Sequence, residues 1–324
     1  MLYPLLFQPI FKDRIWGGRE LERLYAKPLP PAKLIGESWE ISDRPGDASV
    51  IVNGPLAGKD LRWLMEHHAG EVLGQARPAA EGRFPLLCKI LDAREKLSLQ
   101  VHPPAAKARQ LKGEPKTEMW YIADAAPGAS LYVGLERGVT RAEFERKIAD
   151  GTVAECFHRI AVRPGDTMFL PSGRVHAIGD GLVIFEIQQN SDTTYRVFDW
   201  NRMGLDGKPR ELHIAELLAS IDFEDFEPEL VKADFAADGA VQKRSLVNDP
   251  LFQVEAWKIG PGVNAPLEPE KLQIIAVTAG RVNVVARGPE TATLSAGQFC
   301  LVPASLRDTQ VEAASEAALL RVKA

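Results

Sequence analysis

Side chains that could share one metal ion recur along this sequence. In the segment 97–103, strand alternation would turn Gln100 and His102 to the face opposite Leu97, Leu99 and Val101. Glu118 lies in a second alternating segment, 116–122, and His176 ends the segment 171–176. Two imidazoles, a carboxylate and an amide form a mixed nitrogen and oxygen donor set that suits zinc, although iron, cobalt and manganese also accept such ligands. The sequence therefore predicts a metal site formed by these four side chains.

The four candidate side chains are not equally strong zinc ligands. An amide is a weak zinc ligand, so Gln100 is equally compatible with a hydrogen-bonding role behind the ligands. The other histidines of the chain lack a matching environment, and we interpret them as structural: His67, His68, His158 and His213.

The elements that must position these side chains are mainly strands. Proline and glycine interrupt the chain at short intervals, and most intervening segments are brief, alternating and rich in β-branched and aromatic residues. Helical periodicity is confined to residues 60–73, 105–111, 140–149 and 211–221, and Thr140 followed by Glu143 is a capping-box pattern. The chain is therefore predicted to be an all-β protein with small helical insertions.

A weak internal repeat suggests two related units. The segments 165–171 and 297–303 both run from a glycine to a proline through an apolar strand, as expected if one hairpin of a small β-barrel is built twice. His176 follows the first segment by five residues, whereas Asp308 occupies that position after the second. We therefore predict a metal-binding domain over residues 1–235 and a barrel without the metal site over residues 236–324, with the boundary near 234–243.

Composition narrows the function classes. The 324 residues carry a formal net charge of -5 and no run rich in lysine and arginine, which argues against nucleic acid as a partner. No long stretch lacks both charge and proline, so no membrane span is expected. Cys88, Cys156 and Cys300 are odd in number and widely spaced, a pattern typical of a cytosolic protein without disulfides.

The ordered motifs resemble the type I mannose-6-phosphate isomerases, zinc-dependent cupins, in their shorter bacterial form. The resemblance covers most of the first 200 residues and is carried by the segments 15–18, 36–40, 84–92, 97–103, 116–122 and 170–200. It implies a double cupin, meaning two jelly-roll β-barrels. It also implies interconversion of mannose 6-phosphate and fructose 6-phosphate through a metal-stabilised enediol, with one zinc ion per chain and a small-molecule sugar phosphate as the partner.

Carried over residue by residue, the resemblance makes Gln100, His102, Glu118 and His176 the zinc ligands and Arg196 the active-site arginine. Lys116 and Glu186 would line the sugar pocket, and Ser98 and Lys89 would lie at the phosphate end. From the residues alone, Ser98 is equally compatible with a polar strand residue and Lys89 with a surface charge. Pro104 and Ala105 depart from the polar residues that relatives often carry there.

The isomerisation needs a base, and the sequence leaves two candidates. Glu186 would project from the strand face opposite Val183, Phe185 and Ile187, whereas Lys116 could exchange protons if a nearby metal lowered its pKa. Arg196 is always charged and is suited to stabilising an oxyanion. Two rival functions stay open at this point: an isomerase of another sugar, and a sugar-binding cupin without catalysis.

Overall fold

The computed structural model describes residues 2–324, which are mostly β, with 41% strand and 15% helix. The strands that precede residue 235 are β1 (Leu5–Leu6), β2 (Ile10–Gly18), β3 (Ile35–Ile41), β4 (Asp43–Arg44), β5 (Asp47–Ala48), β6 (Leu86–Ala93), β7 (Leu99–Val101), β8 (Glu118–Ala125), β9 (Ser130–Leu135), β10 (Phe157–Ala161), β11 (Thr167–Leu170), β12 (His176–Ile178), β13 (Leu182–Gln189) and β14 (Tyr195–Phe198). The later strands are β15 (Ala236–Asp238), β16 (Val241–Asn248), β17 (Gln253–Ile259), β18 (Val263–Pro266), β19 (Gln273–Ala279), β20 (Arg281–Val285), β21 (Thr291–Ser295), β22 (Phe299–Val302), β23 (Gln310–Ala313) and β24 (Ala317–Lys323).

Four antiparallel sheets of four or more strands build the molecule. The five-stranded sheet has the order β10-β9-β12-β7-β14, and the six-stranded sheet has the order β11-β8-β13-β6-β3-β2. The seven-stranded sheet has the order β1-β22-β19-β24-β17-β16-β15, and the four-stranded sheet has the order β18-β23-β20-β21. A small ribbon pairs β4 with β5.

The sheets are stacked through separate apolar cores. One core contains Trp120 from the six-stranded sheet and Val133 from the five-stranded sheet, so these two sheets face each other. A second core joins the other face of the six-stranded sheet to the seven-stranded sheet, and a third joins the seven-stranded sheet to the four-stranded sheet. Helices cover the outer face of the five-stranded sheet. The six- and seven-stranded sheets therefore form the contact between the two halves of the chain.

Residues 2–324 form five α-helices, and four of them lie in the segments that the sequence predicts as helical. These four are α2 (Leu61–Leu73), α3 (Ala105–Ala108), α4 (Arg141–Asp150) and α5 (Ile214–Ser220). Asp60 caps α2 and Thr140 caps α4, each by accepting a backbone N–H from the residue three positions later. Helix α3 ends three residues earlier than predicted, and residues 211–213 lie outside α5. Two short 3-10 helices span Ala80–Gly82 and Val153–Cys156.

The remaining helix, α1 (Glu20–Tyr25), is not predicted from the sequence. Its N-terminal neighbour, Arg19, makes no capping hydrogen bond with its side chain. Asp92 on β6 supplies the acceptor instead, because its Oδ2 accepts the Glu20 N–H at 2.7 Å. A Cβ at Gly18 would lie 2.8 Å from the Asp92 carboxylate, so the glycine permits this close approach.

The two repeat segments form corresponding strands in different sheets. The first contains β11 and the second contains β22, and each strand follows a glycine with positive φ, Gly165 at +92° and Gly297 at +80°. All strands after residue 235 belong to the seven- and four-stranded sheets. However, β1 also joins the seven-stranded sheet, where Leu5 pairs with Leu301. The N-terminal strand therefore crosses the predicted domain boundary.

Helices long and apolar enough to cross a membrane do not occur in residues 2–324.

Candidate active site

Adjacent strands of the five-stranded sheet bring three of the predicted site residues side by side. Gln100 on β7 lies directly opposite His176 on β12 and opposite Arg196 on β14. Residues directly opposite in neighbouring strands share a face of the sheet. Leu99 and Val101 pack on the other face, beneath the helices, as the alternation predicts. His102 follows β7, and Glu118 begins β8 on the facing sheet.

His102, Glu118 and His176 converge at one buried point. Single ligand atoms of these three side chains all lie within 4.8 Å of one another. Nε2 of His102 lies 3.6 Å from Oε2 of Glu118, and Nε2 of His176 lies 3.4 Å from its Oε1. The site therefore contains three donor atoms at a spacing that one ion can span.

Hydrogen bonds orient both imidazole rings. Nδ1 of His102 lies 2.7 Å from the Thr193 carbonyl, and Nδ1 of His176 lies 2.9 Å from the Arg174 carbonyl. A carbonyl only accepts, so we assign the proton of each neutral ring to Nδ1. Burial lowers the pKa of both rings, that of His176 to about 3, and so favours the neutral form. Both Nε2 lone pairs then face Glu118.

The carboxylate of Glu118 is ionised. Burial alone would raise its pKa, but the Lys116 ammonium holds it well below the usual range. Nζ of Lys116 lies 2.9 Å from Oε2. Neither Glu118 oxygen nor Nε2 of His102 takes part in a hydrogen bond of ordinary geometry within residues 2–324. Buried acceptors that face one another in this way are stabilised by a bound cation, and the donor set fits zinc and similar divalent metals.

Gln100 lies beside His102, Glu118 and His176, but its side-chain oxygen does not point toward them. Its Nε2 lies 3.3 Å from Nε2 of His176, and its Oε1 accepts a hydrogen bond from Ser98 Oγ at 3.2 Å. The two ends of an amide are assigned from their hydrogen bonds, and a rotation would exchange them. Ligation through the Gln100 oxygen requires that rotation, so its place among the ligands stays a prediction.

Glu186 lies on β13, next to the metal candidates. Its Oε2 accepts a hydrogen bond from Trp120 Nε1 at 2.8 Å, while Oε1 accepts none within residues 2–324. Burial raises the pKa of this carboxyl, and the charge of Glu118 raises it further, although Lys116 and Lys89 act in the opposite direction. A carboxyl with a raised pKa and one oxygen that accepts no hydrogen bond is suited to exchanging protons with a substrate.

Lys116 lies just before β8 and keeps its proton in this arrangement. Burial alone would lower its pKa, but the carboxylates of Glu118 and Glu186 raise it above the ordinary value. The side chain is therefore an ammonium that can donate hydrogen bonds.

Lys89 lies between two carboxylates on the six-stranded sheet. Its Nζ lies 3.3 Å from Glu37 Oε2 and 3.4 Å from Glu186 Oε1, and it sits 5.1 Å from the centre of the Trp39 ring. Its side chain is only 4% exposed. The structure therefore places Lys89 in a buried ion-pair network, in contrast to the surface charge that the sequence left as an alternative.

Arg196 completes the arrangement. Burial lowers its pKa, with a smaller effect from the charge of Arg210. Its guanidinium forms no ion pair within residues 2–324, and Nε is buried without a hydrogen bond. The group is therefore available to a ligand.

A cavity of about 480 Å³ connects these residues. Its lining includes Ser98, Gln100, Lys116, Glu186, Lys89 and Arg196, which are all site residues predicted from the sequence. A larger cavity of about 680 Å³ lies near Arg44 and Arg77 and contains none of them. His102, Glu118 and His176 do not line the smaller cavity, but Lys116 and Gln100, which contact Glu118 and His176, do. We assign the active site to this cavity because these neighbours of the convergent ligands and the carboxyl of Glu186 line it.

Sequence reasoning missed several residues of the cavity wall. Glu37 pairs with Lys89, and Arg14 and Arg210 also line the cavity. The segments 15–18 and 36–40 that carry the resemblance adjoin or include Arg14 and Glu37, which is a signal that could have found them. Arg210 follows a proline in an irregular segment, and no local pattern indicates it.

Comparisons with known proteins agree with this geometry. Residues 5–132 match the family described as phosphomannose isomerase type I, catalytic domain. The chain is 36% identical to mannose-6-phosphate isomerase ManA of Bacillus subtilis over 317 residues, 97% of each protein. It is 35% identical to the mannose-6-phosphate isomerase of Streptococcus mutans over 313 residues, 96% of each protein.

Solved structures give the same result. The crystal structure of the mannose 6-phosphate isomerase from Bacillus subtilis superposes with a TM-score of 0.89 and 31% identity, covering 99% of both chains. A phosphomannose isomerase structure from Salmonella typhimurium has a TM-score of 0.77 at 17% identity, which supports the fold alone.

Fold, cavity and relatives together define an aldose–ketose isomerase. The chain belongs to the type I mannose-6-phosphate isomerase family, whose reaction interconverts mannose 6-phosphate and fructose 6-phosphate. The resemblance seen in the sequence is therefore confirmed.

Proposed function

We propose that this chain interconverts mannose 6-phosphate and fructose 6-phosphate with one zinc ion held by His102, Glu118, His176 and Gln100. The observation that carries this proposal is the convergence of two imidazole lone pairs on the Glu118 carboxylate, next to the cavity that Gln100, Lys116 and Glu186 line. A divalent metal at this point would act as a Lewis acid and offset negative charge that develops on the sugar oxygens.

We assign to Glu186 the transfer of the proton between C1 and C2 of the sugar. Its raised pKa, and an Oε1 that accepts no hydrogen bond, favour a carboxyl that takes the proton from one carbon and returns it to the other. Lys116 is the second candidate, but its raised pKa favours a different task, that of donating a hydrogen bond to a sugar oxygen. Arg196 would stabilise the developing oxyanion, because its guanidinium has no carboxylate partner of its own.

We also propose the double-cupin architecture, with the boundary between residues 235 and 236. The grouping of the later strands into the seven- and four-stranded sheets, and the corresponding strands β11 and β22, support it. Location in the cytosol is likewise proposed, from the cysteine usage alone.

The first experiment measures conversion of mannose 6-phosphate by the purified protein before chelation, after metal stripping and after zinc is restored. We expect turnover that disappears with the metal and returns with zinc. A folded, metal-loaded protein that converts neither sugar phosphate would overturn the proposal. Iron, cobalt and manganese in the final step would reveal whether another metal restores more activity than zinc.

A second experiment separates catalysis from binding. Arg196→Ala should retain the metal, measured by elemental analysis, and lose turnover by about 100-fold, as expected for a removed oxyanion donor. Loss of the metal in this variant would contradict the assignment of Arg196 to the substrate.

A further inference from the structure

The larger cavity, of about 680 Å³, lies where the two halves of the chain meet, and the proposed function does not use it. Its wall combines residues 44, 75–80, 83, 85–86, 114–115 and 189–190 of the first half with residues 250–251, 271 and 324 of the second. A volume of this size holds an organic molecule as large as a nucleotide, and ligand cavities are frequent between structural units. The cavity shares no lining residue with the active site, so a molecule bound there would be a separate ligand.

Positive side chains exceed negative ones in the wall of this cavity. Four of the lining side chains are cationic and one is a carboxylate: Arg44, Arg77, Arg83, Lys271 and Glu114. Arg77 and Lys271 are exposed, and neither forms an ion pair within residues 2–324. The backbone of Lys271 pairs with Gly74, three residues before Arg77, so these two cations from different halves of the chain lie near each other. Cations without a carboxylate partner on a concave surface attract an anion.

The other two cations are anchored and keep unused donors. Nη1 of Arg44 lies 2.8 Å from Glu114 Oε2 and donates at 2.8 Å to the Asn190 carbonyl. Nη1 of Arg83 donates to the carbonyl and the carboxylate of Asp43, at 3.3 and 3.2 Å. Asn190 Nδ2 donates to the same Asp43 carbonyl at 3.2 Å, which joins the two arginines in one network. Because a guanidinium has five N–H donors, each arginine is held in place and can still bind a phosphoryl group.

Apolar side chains form much of the remaining wall. They are prolines and leucines from both halves of the chain: Pro78, Pro85, Leu86, Pro115, Pro250 and Leu251. Leu251 is 42% exposed, so this large apolar side chain is left in contact with water. A bare phosphate ion would leave that surface wet, whereas a phosphoryl group joined to a flat ring would cover it and gain about 1 kcal/mol from the area removed from water.

We propose that this cavity binds an organic phosphate of the nucleoside monophosphate class. Arg44, Arg77 and Lys271 bind the phosphoryl group, and the ring packs on Leu251. The phosphoryl group competes with the Glu114 carboxylate for Arg44, because both groups accept the same N–H donors. The inference does not depend on the proposed function, since none of these residues lines the active-site cavity.

Titration calorimetry of the whole chain with adenosine 5′-monophosphate tests the charges. Arg77→Gln and Lys271→Gln should each weaken binding about 10-fold, the loss expected for one charge-assisted hydrogen bond. Glu114→Gln should instead tighten binding about threefold or more, because it removes the competing carboxylate. Arg281→Gln is the matched control, because Arg281 is likewise exposed and without an ion pair in residues 2–324 but lies on β20, outside the cavity. This control should bind within about twofold of the wild type.

Competition experiments test the ring. Ribose 5-phosphate and adenosine, which each carry one part of the ligand, should displace adenosine 5′-monophosphate at least about 10-fold more weakly than the intact nucleotide does. Leu251→Ala should weaken binding of the nucleotide about fivefold and leave displacement by ribose 5-phosphate unchanged. Equal displacement by ribose 5-phosphate and the intact nucleotide would contradict the assignment of the ring to Leu251.

Arg196→Ala separates this site from the active site, where a phosphoryl group could also bind. The variant should keep the wild-type affinity for adenosine 5′-monophosphate. Binding that is lost in Arg196→Ala and kept in Arg77→Gln and Lys271→Gln would overturn the inference, as would a nucleotide that does not bind at about 1 mM. A protein that binds the nucleotide through Arg77 and Lys271 but converts no mannose 6-phosphate would refute the proposed function and leave this site standing.

Discussion

Two buried interiors of this molecule hold charge in different ways. Between the five- and six-stranded sheets, His102 and His176 turn lone pairs toward the Glu118 carboxylate. In the seven-stranded sheet of the other half, Arg321 is 3% exposed and supplies a cation of its own. Its Nε binds Gln273 at 2.7 Å, and its other nitrogens lie 3.3 Å from Glu255 and 3.1 Å from Glu268.

The two interiors differ in the source of the cation that balances their buried acceptors. In the Arg321 cluster, the cation and the carboxylates that pair with it both belong to the chain. The site between the other two sheets has acceptors in excess, so we expect its most stable state to include a cation taken from solution. Changes in the first interior should therefore affect metal and turnover, and changes in the second should affect stability.

The largest expected effect is at His176. His176→Ala should abolish stable metal binding and reduce turnover on the order of 1,000-fold, because several kcal/mol of Lewis-acid stabilisation are lost. Elemental analysis and initial rates measure both effects. Asp308→Asn, at the corresponding place after the second repeat segment, is the control: Asp308 is exposed, and its replacement should leave both quantities unchanged. A metal-free protein with full activity would erase the distinction between the two interiors.

A substitution of Arg321 should have the converse effect, a loss of stability without a loss of metal or turnover. Arg321→Met should lower the free energy of unfolding by about 3 kcal/mol, because Glu255 and Gln273 lose a buried partner, while the half-exposed Glu268 gains water in compensation. Urea denaturation measures the loss. The folded variant should keep the metal content and turnover of the wild type. A loss of turnover at unchanged stability would show that the second interior takes part in the reaction.

Asp92 is a buried carboxyl of the six-stranded sheet that serves the fold, because it caps α1 and does not line the active-site cavity. Burial raises its pKa from 3.8 to about 6, so the folded state holds the proton more tightly than the unfolded chain does. The contribution of Asp92 to stability therefore falls as pH rises from 4 through 6. Asp92→Asn does not titrate, so its free energy of unfolding relative to wild type should rise over this interval by at most about 3 kcal/mol. Urea denaturation at pH 4, 5, 6 and 7 measures it, and a difference independent of pH would contradict the assignment.

The smallest effect is expected in the helices that cover the outer face of the five-stranded sheet, outside both interiors. Thr140→Ala removes the cap of α4 and should cost about 1 kcal/mol of stability, whereas Thr140→Ser should retain it. Thermal unfolding measures both variants. Turnover should not change in either, and a change would mean that the helical layer is coupled to the metal site.

The sequence predicts those features that depend on neighbouring residues. The helical periodicity of residues 60–73, the α4 cap at Thr140 and the alternation that turns Gln100 and His102 to one face are local, and the structure has all three. The convergence of His102, Glu118 and His176 joins three separate segments of the chain. The sequence predicts it from residue types and alternation, and the family resemblance implies the same set. Their role as metal ligands stays a prediction until metal is measured.

Other features depend on contacts between distant segments, which one sequence does not reveal. Helix α1 is capped by Asp92, 72 residues away, so no local signal marks its beginning. Lys89 is typical of a surface residue by composition, and only the pairing of β6 with β3 and β13 encloses it between Glu37 and Glu186. Arg210 reaches the cavity from an irregular segment whose path is determined by its ion pair with Asp199.

The pairing of Leu5 with Leu301 also has a consequence for how the protein is made. During synthesis, β1 leaves the ribosome long before β22 exists. One edge of β1 can bond to residues 52–53, but the edge that pairs with β22 must wait for nearly the whole length of the chain. Contacts between such distant segments slow folding, and an unpaired apolar strand is prone to association with other chains. The final strands would therefore complete the N-terminal edge as well as their own sheet, so premature termination near residue 295 should yield aggregates rather than a truncated enzyme.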